Sequence, residues 1–101
     1  MRMMLELRFP LEPFNTAVRD GSAGPTMMKI LDDLKPEAAY FGEHDGCRGG
    51  WLVIDVKSPS EVPRFAEPWF LKFNAETKFR ICMLPQDLGA ANLEALGKKW
   101  G

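Results

Sequence analysis

Cysteine, histidine and charge of one sign are all scarce in this chain, and each scarcity removes a class of function. Two cysteines, Cys47 and Cys82, cannot build a disulfide framework. They fit a reduced protein, and a cytoplasmic location is the expectation. A formal net charge of −1 gives no electrostatic footprint for nucleic acid. It supplies no pull towards an anionic membrane surface either. No apolar run approaches the roughly 20 residues that span a bilayer. The opening residues, Met1-Arg2-Met3-Met4-Leu5-Glu6, carry charge and lack a signal-peptide pattern. Neither nucleic acid nor membrane is therefore an expected partner. Repeats, linkers and low-complexity stretches are missing as well, so a single domain over residues 1–101 is expected.

What is abundant is patterned hydrophobicity. Hydrophobic residues make up 46% of the chain, enough for a core without staples. Residues 1–9 alternate, with Met3, Leu5, Leu7 and Phe9 on one face and Arg2, Met4, Glu6 and Arg8 on the other. That period belongs to a half-buried strand. Residues 13–34 read as helix broken at Gly21-Ser22-Ala23-Gly24-Pro25, and Met27, Ile30, Leu31 and Leu34 form a stripe after the break. Residues 38–45 and 51–57 read as a hairpin joined through Asp45-Gly46-Cys47-Arg48-Gly49-Gly50. Ser58-Pro59-Ser60-Glu61 has the form of a capping box opening a helix. Val62, Phe65, Ala66, Trp69, Phe70 and Phe73 give that helix its apolar side. Pro68 is expected to kink it, and Asn74 to end it in a left-handed conformation. Thr77 to Met83 alternate as a fourth strand, and Pro85-Gln86-Asp87 opens a last helix with Leu88, Ala91, Ala95, Leu96 and Trp100 along one side. The order is the plan of an α+β, ferredoxin-like βαββαβ sandwich with an extra C-terminal helix. Its four-stranded antiparallel sheet has helices on one face only.

The other face carries Arg2, Met4, Glu6, Arg8, Trp51, Val53, Asp55, Lys78, Arg80 and Cys82. Solvent does not require Trp51 and Val53 on a central strand. A dry interface does not tolerate Arg8, Arg80, Glu6 and Asp55 without partners. Two readings fit. Two copies stack these faces as a homodimer with the charges paired, or the arginines also hold an anionic or carbonyl-bearing small molecule between the sheets.

The stretches Tyr40 to Gly49, Ala66 to Ala75 and Lys78 to Ile81 resemble small uncharacterised bacterial proteins of the dimeric α/β-barrel superfamily. The resemblance covers nearly the whole chain. It implies a homodimer whose two sheets form a barrel with the helices outside. The superfamily includes cofactor-free monooxygenases, muconolactone isomerase-like enzymes, YciI-like proteins and haem proteins. No catalytic motif of any one of them is present, and neither is a haem-ligand signature, so no cofactor is expected.

The candidate chemistry is thin. His44, between Glu43 and Asp45 at a strand end, is a candidate general base. The competing reading is a polar surface cluster. Glu43, His44, Asp45 and Cys47 lack the second ligand group of a structural zinc site, so no metal is expected. Cys47 beside Arg48 has the setting of a lowered thiol pKa, against the commoner case of an incidental loop cysteine. Gly46, Gly49 and Gly50 read as turn residues, because no phosphate-loop lysine follows. The expected ligand-binding set is Arg8, Tyr40, His44, Trp51, Asp55 and Arg80. Two functions stay open: a homodimer that binds a small molecule or acts structurally, and a cofactor-independent, monooxygenase- or isomerase-like enzyme on an aromatic or polyketide-like metabolite. The C-terminal helix, ending in Trp100, is expected to pack on the dimer edge or the partner subunit.

Overall fold

The computed structural model describes all residues from 1 to 101. Strand β1 runs over Arg2–Phe9, and Pro10 stops it. Helices α1 (Leu11–Asp20) and α2 (Ala23–Leu34) follow. The expected break between them is real: Gly21 takes a left-handed conformation at φ 83° and closes α1. Strands β2 (Ala38–His44) and β3 (Cys47–Asp55) form the hairpin. A single 3₁₀ turn, Pro59–Glu61, leads into α3 (Val62–Phe73), and β4 spans Glu76–Ile81. The sheet order is β2-β3-β1-β4 with every pairing antiparallel. The fold is α+β and ferredoxin-like, as the sequence pattern implies.

The alternation of β1 sets the layers. Leu5, Leu7 and Phe9 are buried beneath the helices together with Leu52, Ile54 and Val56. Ile30 and Leu34 of α2 and Phe65, Trp69 and Phe73 of α3 close over them. Each such side chain contributes roughly 1.5–3 kcal/mol when fully buried. An exposed ion pair contributes about 0–1 kcal/mol, so the apolar layer holds this fold. Phe9, Phe14 and Phe73 pack as a ring cluster, with Phe14 stacked on Phe73 at 4.7 Å.

Several local expectations are corrected. The hairpin link is not six residues but two. Asp45 (φ 48°) and Gly46 (φ 82°) both take positive φ, the two-residue turn that matches strand twist. Cys47, Arg48, Gly49 and Gly50 therefore belong to β3, paired with His44, Glu43, Gly42 and Phe41. Ser58 does not close a capping box. Its hydroxyl pairs with Ser60, while the Glu61 carboxylate accepts the Lys57 N–H at 2.8 Å. Helix α3 runs unbroken past Pro68. Asn74 ends it at φ 53°, as the sequence predicts. The alternation of the fourth strand puts Phe79, Ile81 and Met83 on its core side, but only Phe79 packs against the core; Ile81 and Met83 are exposed, because β4 is an edge strand that ends at Ile81.

The last helix is two helices, α4 (Pro85–Ala90) and α5 (Leu93–Trp100). Asn92 is left-handed at φ 54°, which breaks the run, and its side chain accepts the Ala95 N–H. Neither helix buries a residue. They form an arm that projects from the domain. A globular chain of this length has a radius of gyration of about 13 Å, whereas this one has 17.1 Å and a long axis of 59 Å.

Candidate functional site on the open sheet face

Facing residues on antiparallel neighbours share one side of a sheet, so the open face reads in rows. One row is Tyr40, Trp51, Glu6 and Lys78. The next is Gly42, Gly49, Arg8 and Glu76. His44 and Cys47 end the face beside the Asp45-Gly46 turn. Two glycines in the middle row leave a trough in the sheet surface.

His44 lies in that trough. A Cβ on Gly49 would sit 2.5 Å from the His44 Cβ and 3.1 Å from the Leu7 carbonyl oxygen. The missing side chain lets the imidazole fold back across β3, and its Nδ1 lies 3.2 Å from that same Leu7 oxygen. A carbonyl only accepts, so Nδ1 carries the proton of this hydrogen bond. The other ring nitrogen, Nε2, lies 3.7 Å from Asp45 Oδ2. One side of the ring packs on Trp51, with centroids 5.8 Å apart.

A polar network surrounds the imidazole. Trp51 Nε1 donates to Glu6 Oε1 at 3.3 Å, and Arg80 Nη2 lies 3.7 Å from Glu6 Oε2. Arg8 Nη1 donates to Glu76 Oε2 at 2.7 Å. Its Nη2 reaches the Asp45 carbonyl oxygen at 3.4 Å and Cys47 Sγ at 3.3 Å. The Glu76 hydrogen bond, then the Cys47 sulfur, hold the Arg8 guanidinium above even its ordinary high pKa. Arg8 Nε is buried and has no partner. Over these groups opens a cavity of about 190 Å³ walled by Glu6, Arg8, His44, Asp45, Glu76 and Lys78, with no hydrophobic lining residue. Cations, carboxylates and an imidazole within one small space suit a molecule bearing several oxygens.

The expected ligand set divides. Arg8, His44 and Trp51 come together, and Arg80 joins them through Glu6. Tyr40 is on the right face but 67% exposed at the sheet edge. Asp55 is four residues along β3 from Trp51, roughly 13 Å at strand rise. It pairs instead with the N-terminal ammonium at 3.2 Å, whose hydrogen bond and charge hold its carboxyl below the usual carboxylate range. Glu6, Glu76, Asp45 and Lys78 complete the cavity and were absent from the expected set. Register is the reason: Glu6 reaches Trp51, and Glu76 reaches Arg8, only through strand pairing far apart in sequence. The reading of Gly49 and Gly50 as turn residues is also corrected. A mid-strand glycine signals close approach, and a Cβ on Gly50 would meet Phe41 at 2.9 Å.

Cys47 bonds Arg8 rather than Arg48, since neighbouring strand residues face opposite sides. Glu43, His44, Asp45 and Cys47 do not converge as metal ligands. Glu43 instead accepts the Gly46 N–H at 2.6 Å and fastens the turn.

Neither protein-family models nor curated proteins give a match to this chain. Solved structures do. The chain is similar to 5-chloro-2-hydroxyhydroquinone dehydrochlorinase (TftG) from Burkholderia phenoliruptrix AC1100, determined in complex with 2,5-dihydroxybenzoquinone. The TM-score is 0.60 at 17% identity, over 86% of this chain and 98% of that one. The likeness is one of fold. A de novo designed protein, Ferredog-Diesel, is similar at a TM-score of 0.47 and 16% identity, over 80% of this chain and 85% of that one. No helix of this chain is long and apolar enough to cross a membrane.

Proposed function

We propose that this protein is a homodimer that binds a small oxygenated molecule on the open sheet face, at the His44, Arg8 and Glu6 cluster. The observation that carries the reading is the glycine trough, which holds the His44 ring against the Leu7 carbonyl oxygen beside Arg8 in a polar cavity of about 190 Å³. The same face keeps Met4, Trp51 and Val53 half-buried on central strands, an apolar area that a second sheet would cover. Two of its arginines are already paired within the chain, Arg8 with Glu76 and Arg80 with Glu6, so stacking two faces would ask a new partner only of Lys78 among the basic side chains around the cavity. The projecting arm supplies Leu93, Leu96 and Trp100 to the partner subunit. The fold relative TftG was captured with 2,5-dihydroxybenzoquinone, which supports a compact oxygenated ring as the ligand class.

A second reading follows from the placement of His44. An imidazole anchored through Nδ1 to a backbone carbonyl, with Nε2 beside a carboxylate at a polar cavity, has the geometry of a general base. On that reading the protein is a cofactor-independent, isomerase-like enzyme that moves a proton on the same class of ligand.

The test is titration of the full chain with 2,5-dihydroxybenzoquinone, alongside light scattering of its mass in solution. A dimer with saturable binding is expected, and His44→Gln and Arg8→Met should each weaken that binding about tenfold or more, the scale of a charge-assisted hydrogen bond. A monomer at micromolar concentration, or affinity indifferent to both substitutions, overturns the proposal. Consumption of the ligand by the wild type but not by His44→Gln selects the enzyme reading.

A further inference from the structure

The helix-covered side of the sheet holds a second, larger cavity, of about 370 Å³, at the end where α1 and α2 pass the hairpin. Its walls are Phe9, Phe14, Met27 and Phe41, and its one charged group is Arg48. Arg48 reaches this side because it faces Phe9 across β3 and β1. Its guanidinium lies over the Phe14 ring at 4.5 Å, and Nη1 donates to Asn15 Oδ1 at 2.8 Å.

No carboxylate pairs with it. The acid opposite in register is Glu43, and the Glu43 carboxylate is committed to the Gly46 N–H. Arg2, Arg8, Arg19 and Arg80 all have acidic partners within 4 Å; Arg48 and Arg64 have none, and Arg64 donates to the Asp33 carbonyl oxygen away from any such cavity. A half-buried guanidinium oriented by a ring and an amide, with unused N–H groups beside an aromatic cavity, is a receptor for a planar oxyanion. The volume lies in the range of small-ligand pockets.

We infer that this cavity is a second binding site, distinct from the open face, for an aromatic carboxylate whose ring lies among the phenylalanines and whose carboxylate pairs with Arg48. The inference stands on other residues than the reading of His44 and survives its failure.

Phenylacetate and its neutral analogue 2-phenylethanol are the probes, titrated into the full chain and followed by amide shifts in two-dimensional NMR. Phenylacetate should bind at least tenfold tighter than the alcohol, with shifts centred on residues 9, 14, 41 and 48. Arg48→Met should remove that preference, and Arg48→Lys should retain part of it. Arg19→Gln, on the outer face of α1, should leave it intact. Equal affinity for the two probes, a preference that persists in Arg48→Met, or shifts centred on residues 44 and 51 would overturn the inference. Should Arg48→Met fail to fold, the probe preference and the shift map of the wild type decide alone.

Discussion

Gly49 controls the site at the scale of one residue. Its missing Cβ is the space that His44 occupies, so Gly49→Ala must push out either the imidazole or the backbone near Leu7. Overpacking of this kind costs about 1–3 kcal/mol. The expected result is a lowered denaturation midpoint of that size, together with loss of the His44 hydrogen bond in NMR spectra of the ring nitrogens. Gly89→Ala is the control, because nothing lies within 4 Å of a Cβ there. The glycine was visible in the sequence, but its purpose was not. Residue type reveals tolerance of an unusual conformation, whereas the need here is proximity to a side chain that only pairing brings near. His44 and Trp51 could be placed on the open face from alternation alone. Glu6 and Glu76 required the register between strands.

At the scale of elements, local chemistry fixed most of the ends. Gly21, Lys35 and Asn74 all take left-handed conformations that close helices α1, α2 and α3. Lys35 is the uneconomical one, since a lysine at φ 48° carries steric strain that glycine does not. Lys35→Gly should therefore stabilise the protein by about 0.5–1 kcal/mol, read from chemical denaturation. Where alternation or helical spacing was long, as in β1 and α3, the elements were legible before the structure. Where two signals competed, they were not. Gly49 and Gly50 beside Asp45-Gly46 looked like one long loop, although a two-residue turn leaves the later glycines free to pair in β3. In the arm, the apolar spacing of one helix concealed the break at Asn92, which is a cap for α5 and so a breaker for α4.

At the scale of the molecule, the proposed dimer would cover both the arm and the open face. Trp100 is 77% exposed at the tip of a structure 59 Å long, and nothing in its own domain covers it. Removal of residues 93–101 should weaken self-association at least tenfold in sedimentation equilibrium and leave the β-sheet spectrum intact. An unchanged dissociation constant would deny the arm its role. The sheet order has a bearing on synthesis as well. Strand β1 emerges first, yet its outer neighbour β4 comes only after residue 75, with Met3 facing Ile81. Until then a nascent chain shows an unsaturated row of amides and carbonyls along its earliest strand. Pauses or truncations ahead of that point would release fragments prone to strand-to-strand clumping, while those that fall within the arm would release a finished sheet.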